Sequence, residues 1–146
     1  MSEGKARKKV AVVTLQGKTN YGNRLQNYAV VKLYEMFGCE VVSLCRRSKP
    51  TMSRKVLDIL RGTTHRCLPL EESKGDSERI AAFERFDSKL KFLSVSECDD
   101  GLSDSFDYFS VGSDQVWNLG RMSDNDNWYY LRFARPEQRI ALAPSI

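Results

Sequence analysis

One stretch constrains this chain more than any other. The run Val10-Ala-Val-Val13 leads into Thr14-Leu-Gln-Gly-Lys-Thr-Asn-Tyr-Gly-Asn-Arg-Leu-Gln-Asn-Tyr28. A short run of β-branched and small apolar residues, followed by turn residues, predicts a buried strand. Gly17, Lys18, Thr19, Asn20 and Gly22 then form a polar glycine loop. A helix follows, with Leu25, Tyr28, Ala29, Leu33, Met36 and Phe37 spaced as one apolar stripe. Gly38 supplies its stop, and either Asn20 or Asn23 its N-cap. Strand, glycine loop and helix is how an open α/β sheet builds a ligand site. The loop leaves the carboxyl end of a strand, and the helix aims free N–H groups at the crevice. Asn23, Arg24, Gln26 and Asn27 crowd the first two turns with more hydrogen-bonding capacity than a solvated helix start requires.

The loop excludes two common ligands. Gly17 and Gly22 have the spacing of a phosphate-binding loop, but Asn23-Arg24 stands where Lys and then Ser or Thr are needed. The dinucleotide fingerprint G-x-G-x-x-G is also missing. No cofactor is expected. The four cysteines, Cys39, Cys45, Cys67 and Cys98, form no C-x-x-C pair, and the chain has one histidine, so no metal site is expected either. Reduced thiols in or near the core are the expectation for the cysteines.

At 146 residues with 41% hydrophobic residues, the chain can bury a core of its own. The net charge of +4 suits anionic small molecules as well as nucleic acid. The basic start, residues 1–9, reads as a flexible terminus. The apolar run after it is too short for a signal-peptide core, and no stretch approaches a membrane span. A cytoplasmic protein is the expectation.

Along the chain, Cys39–Leu44 predicts a second strand and, with the helix before it, a parallel strand–helix–strand unit. Residues 45–76 form a charged connector. Between Cys45 and Cys67 it carries Arg46, Arg47, Lys49, Arg54, Lys55, Arg61 and Arg66 against Asp58 alone, with a short helix over Ser53–Leu60. It reads as a solvated face or as a flap drawing anions toward the crevice. Its basic residues lack aromatic interleaving, so nucleic acid is not an expected partner. A helix starts near Ser77, with Ile80, Phe83, Phe86 or Asp87, and Leu90 on its apolar side. Phe92–Ser96 is a short extended exit.

Phe106–Val111 predicts a further strand, running into Gly112-Ser-Asp-Gln-Val-Trp-Asn118. In a parallel sheet this second polar turn leaves at the same edge as the first. Gly112 allows close backbone approach to a ligand. Ser113, Asp114 and Gln115 offer hydroxyl, carboxylate and amide groups. Trp117 either walls a pocket or joins the core. Trp128–Ala134 reads as an aromatic extended segment, and Arg139–Ala143 as the last strand. A strand so near the final residue, without a covering helix, suggests an incomplete unit.

Asn20-Tyr-Gly-Asn-Arg-Leu-Gln-Asn-Tyr-Ala29 together with Asp107-Tyr-Phe-Ser-Val-Gly-Ser-Asp-Gln-Val-Trp-Asn118 resembles the polysaccharide pyruvyl transferase family. Trp128–Phe133, Arg139–Ala143 and the helix carrying Phe83, Phe86 and Leu90 are also similar to that family. The resemblance runs from Val10 almost to the end. It implies a Rossmann-like open parallel sheet with flanking helices, one half of a glycosyltransferase-B-like two-domain fold spanning residues 10–146. It also implies transfer of a pyruvyl group from phosphoenolpyruvate onto two hydroxyls of a sugar acceptor during polysaccharide synthesis.

Members of the family are roughly twice as long, so the likeness covers an amino-terminal half that is inactive alone and lacks a carboxyl-terminal domain, which could be supplied in trans. Two rival readings remain: a non-catalytic saccharide- or partner-binding module, and half of a nucleotide-sugar glycosyltransferase. The tail, Ala143-Pro-Ser-Ile146, departs from the family pattern, and His65 matches no family motif. The expected substrate wall is Asn20, Tyr21, Gly22, Asn23, Arg24, Gln26 and Asn27 facing Gly112, Ser113, Asp114, Gln115 and Trp117. No residue is assigned as catalytic.

Overall fold

The computed structural model describes residues 6–16, 20–46, 77–96, 99, 101–118 and 128–145, without the side chains of residues 77, 79, 113 and 114. The order of elements is β1 (Lys9–Val13), α1 (Tyr21–Met36), β2 (Glu40–Arg46), α2 (Ser77–Asp87), β3 (Phe92–Val95), β4 (Tyr108–Asp114) and β5 (Arg139–Pro144). Short 3₁₀ turns lie at Leu102–Asp104 and Pro136–Gln138. The short helix expected at Ser53–Leu60, His65 and most of the charged connector lie outside the described residues.

The strands form one five-stranded parallel sheet in the order β3-β2-β1-β4-β5. β1 is central because its Val10–Val13 run is buried on both faces, as a parallel sheet demands. Val10 pairs with Val41 of β2 and with Tyr108 of β4. The chain therefore builds outward from β1 to β3, returns, and builds outward again from β4 to β5. The order reverses between β1 and β4, which is where α/β sheets open a crevice at their carboxyl ends. The segment read as an extended exit, Phe92–Ser96, forms an edge strand over Phe92–Val95, pairing Ser43 with Phe92.

The two faces are covered differently. On one, Val10, Val12 and Val41 pack against Val30 and Val31 of α1. On the other, Ala11, Val13, Leu44, Phe109 and Val111 pack against Leu102, Val116, Trp128, Leu131 and Ala134. The Trp128–Ala134 segment is not extended, contrary to expectation. Leu131 N–H donates to the Trp128 carbonyl at 3.1 Å and Ala134 N–H to the Leu131 carbonyl at 3.0 Å, so successive turns carry it across the sheet. Every third residue points inward: Trp128, Leu131 and Ala134 are buried. Three-residue spacing is a turn period, whereas an exposed strand alternates by two.

α1 also differs from its predicted orientation. Asn20 is the N-cap, its Oδ1 accepting from Asn23 N–H at 3.3 Å, and Gly38 ends the helix at φ +77°. The face turned inward, however, is Arg24, Asn27, Val30 and Val31. Of the expected apolar stripe, Leu25, Ala29, Leu33, Met36 and Phe37 face solvent, and Tyr28 is half-buried against Phe86 of α2. Two hydrogen bonds, one buried and one partly buried, hold this rotation. Ser43 Oγ donates to Asn27 Oδ1 at 2.7 Å, and Tyr34 OH donates to Ser110 Oγ at 2.8 Å. The serines belong to β2 and β4, so the sheet offers hydroxyls that only the polar side of α1 can match.

The expectation of reduced thiols holds at half-buried Cys39 and fails at Cys45, which is buried and disulfide-bonded. Its partner lies outside the described residues. Single-sequence spacing does not identify such pairs, and a disulfide is uncommon in reducing compartments. Among the described residues, no helix is long and apolar enough to cross a membrane.

Lys8 and Lys9 are tied to the start of β4 by Asp107. Lys8 Nζ pairs with Asp107 Oδ1 at 2.7 Å, and Lys9 N–H donates to Asp107 Oδ2 at 2.8 Å. The bond from Lys8 first, then the backbone bond from Lys9, hold the Asp107 carboxyl below its ordinary range. A depressed carboxylate contributes stability above its unfolded-state pKa and loses it as pH falls through the lowered folded value. The stability gap between wild type and Asp107→Asn should therefore close as pH drops below the ordinary carboxylate range. Urea midpoints across an acid pH series measure this, and a gap that stays constant would contradict it.

Candidate functional site

The candidate site is the carboxyl edge of β1 and β4. Val13 pairs with Val111, so the residues after each strand emerge side by side. Thr14, Leu15 and Gln16 follow β1, and Gly112 to Asn118 close β4 and continue beyond it. The N-terminus of α1, capped by Asn20, stands over the same edge of the connection. The described residues that leave β1 and β4, far apart in sequence, thus share one rim of one sheet.

Arg24 and Asn27 do not stand on that rim as expected. Asn27 is buried against Ser43. Arg24 Nη1 pairs with Asp87 Oδ2 of α2 at 2.9 Å, and its guanidinium lies over the Phe83 ring, 5.8 Å from the centroid. Arg24 Nε and Asp87 Oδ1 are buried without partners, so the pair is joined by one nitrogen and one oxygen. Burial is the main influence raising the Asp87 pKa, opposed by the Arg24 charge. The one cation of the expected substrate wall is already neutralised inside the fold. Its job is to join α1 to α2.

The other residues of the first turn stay accessible. Asn20, Tyr21 and Gly22 are exposed, while Asn23 and Gln26 are half-buried. Tyr21 packs on Phe83, the two rings tilted by 32° with centroids 4.6 Å apart. Tyr21, Arg24 and Leu25 with Ala82, Phe83 and Phe86 line a cleft of about 160 Å³ between the helices.

In the second turn, Gly112 meets protein rather than a ligand. Its φ is +138°, and a Cβ there would lie 1.9 Å from the Leu142 carbonyl oxygen of β5. The close approach its sequence context predicts is strand to strand. Ala143, next to its register partner Leu142, also has a positive φ, +46°, so the carboxyl end of the β4–β5 ladder is locally irregular. The backbones of Ser113 and Asp114 complete β4, and Asp114 pairs with Pro144. Gln115 is exposed and accepts from Asn118 Nδ2 at 3.4 Å. Trp117 is half-buried: its Nε1 donates to the Tyr129 carbonyl at 3.1 Å, and its ring stacks on Tyr130 at 6.2 Å. Trp117 N–H donates to the Ser145 carbonyl at 3.2 Å, joining the turn to the exit of β5.

Three residues outside the expected wall belong to this edge. Thr14 is buried with its Oγ1 unpartnered, directly past β1. Gln16 Nε2 donates to the Leu44 carbonyl at 2.8 Å, tying the loop to β2. Tyr130 is exposed beside Trp117. The signal for Thr14 and Gln16 was their position at the carboxyl end of the central apolar run. Tyr130 gave none, because its segment read as a strand.

Chemically, the rim offers amides, hydroxyls and aromatic faces, with no cluster of three His, Cys, Asp or Glu among the described residues. Such groups recognise neutral polyols by directed hydrogen bonds and ring stacking. Against family models, curated proteins and solved structures, the chain shows no significant match.

Proposed function

We propose that this chain forms one wall of the substrate cleft in a polysaccharide pyruvyl transferase-like protein, on the side that holds the acceptor sugar. The supporting observation is the register that brings Val13 and Val111 together, since it joins the two resemblance-bearing turns at the switch point of a parallel sheet. In the proposed reaction, two sugar hydroxyl oxygens bond to C2 of phosphoenolpyruvate, C3 takes a proton, and inorganic phosphate leaves. That chemistry needs an acid and cations for phosphate and carboxylate. With Arg24 held by Asp87, the groups left on this rim suit the sugar rather than the phosphoenolpyruvate. Asn20, Asn23 and Gln26, with Gln115, Trp117 and Tyr130, are the binding residues in this reading.

Amide chemical shifts of the labelled chain test it. Neutral oligosaccharides should move residues 14–16, 20–23 and 112–118, and phosphoenolpyruvate should move them far less. In a pyruvyl-transfer assay the chain alone should give no turnover. A response confined to phosphoenolpyruvate, or to nucleotide sugars, would overturn the acceptor-side assignment; robust turnover would overturn the one-wall reading.

A further inference from the structure

We propose that the solvent-facing side of α1 is a homodimer interface, in which two copies of the helix pack antiparallel about a two-fold axis at Ala29. This goes beyond the substrate reading, and the stripe borders the proposed sugar-binding turn at Tyr21, Gly22 and Gln26.

Tyr21, Leu25, Ala29, Leu33 and Met36 fall at i, i+4, i+8, i+12 and i+15, one stripe along the helix, and Phe37 extends it. The stripe lies opposite the buried face of Arg24, Asn27, Val30 and Val31. Tyr21 is 55% exposed, Leu25 59%, Leu33 37%, Met36 84% and Phe37 74%. Taking roughly 200 Å² for a large apolar side chain, these fractions leave on the order of 600 Å² of apolar surface in water. A standard interface buries about 800 Å² per partner, so these side chains alone supply most of what a stable dimer needs. A continuous patch of this size is the upper limit for a monomer.

The order of residues on the stripe selects a second copy as the occupant. Turned end for end about Ala29, the helix places Leu33 opposite Leu25 and Met36 opposite Gly22. A large side chain thus meets a small one near each end, while the small Ala29 side chains let the helices approach at the centre. Charge agrees with this arrangement. α1 has no acidic residue in its first turn and no basic residue in its last. Glu35 instead sits at the negative end of its own helix dipole, held by Lys32 at 2.5 Å. The antiparallel copy brings Glu35 to its partner's positive N-terminal end. Lys32 lies at the stripe's edge, opposite neutral Gln26, so no like charges meet.

Sedimentation equilibrium of the full chain, from about 1 µM to about 1 mM, tests the proposal. A monomer–dimer equilibrium is expected. Leu25→Asp and Met36→Asp should each weaken it by about 100-fold or more, because a two-fold interface counts every substitution twice. Both side chains are exposed, so melting curves should stay near wild type. Ala29→Cys gives an independent reading: mild oxidation should yield a covalent dimer that Ala29→Ser does not form. A chain that stays monomeric to about 1 mM, a dimer indifferent to both aspartates, or an Ala29→Cys protein that does not cross-link would overturn the proposal.

Discussion

Gly112→Ala is expected to destabilise the protein by more than about 4 kcal/mol, beyond the ordinary range for one methyl group. The added Cβ would sit 1.9 Å from the Leu142 oxygen and 2.8 Å from its carbonyl carbon. Both are backbone atoms of the paired strand, so no rotamer change relieves the overlap. β5 must move away, and its ladder runs the length of β4 from Phe109 to Asp114. Gly38→Ala separates the two contributions. Gly38 also has positive φ, +77°, but a Cβ there meets nothing within 4 Å. Its substitution should cost only the dihedral penalty of about 1–2 kcal/mol. Urea unfolding gives both values, and amide exchange in β5 should rise for Gly112→Ala alone. A Gly112→Ala protein as stable as Gly38→Ala would mean that β4 and β5 are not in this contact. It would also remove the basis for reading Gly112 as a packing glycine instead of a ligand-facing one.

Arg24→Met should cost roughly 3 kcal/mol, at the lower end of what breaking a buried ion pair costs. The Arg24 side chain is 11% exposed and that of Asp87 26%. Removing the guanidinium leaves a largely desolvated carboxylate with no counter-charge. The double variant Arg24→Met/Asp87→Leu should recover most of the loss, since both desolvation penalties vanish together. The pH dependence carries the sign. Burial already raises the Asp87 pKa, and Arg24 is the group that opposes the rise. A group with a raised folded pKa contributes its stability below the unfolded value and loses it as pH climbs through the folded one. Without Arg24 the rise is larger, so the deficit of Arg24→Met should be greatest near neutrality and shrink on acidification. A deficit independent of pH, or no rescue in the double variant, would show that the pair is not what joins α1 to α2. Saccharide binding by a folded Arg24→Met/Asp87→Leu protein should persist, because neither side chain reaches the rim.

Much of the sheet was readable from composition and order. The apolar runs at Val10–Val13, Cys39–Leu44, Phe106–Val111 and Arg139–Ala143 all became strands, with ends shifted by a few residues. Asn20 and Gly38 bounded α1 because capping and left-handed backbone are local properties of those side chains. The Trp128–Ala134 segment misled because aromatic density was read as extension, while its three-residue burial spacing belongs to turns. The candidate rim was legible as two polar turns. Its membership was not: polarity alone does not tell a group facing a ligand from one facing a serine or an aspartate inside the fold.

α1 shows where the boundary lies. Its sequence determined that a helix forms there, where it starts and where it stops, because those outcomes depend on neighbours within four residues. It did not determine which side faces inward. The tertiary structure decided that, by presenting Ser43, Ser110 and Asp87 where Asn27, Tyr34 and Arg24 could bond them. Buried polar groups must find partners, and those partners lie on strands and helices remote in the chain. Their pull, added to the packing of Val30 and Val31, outweighed an apolar stripe of which only Leu25 and Tyr28 reach α2.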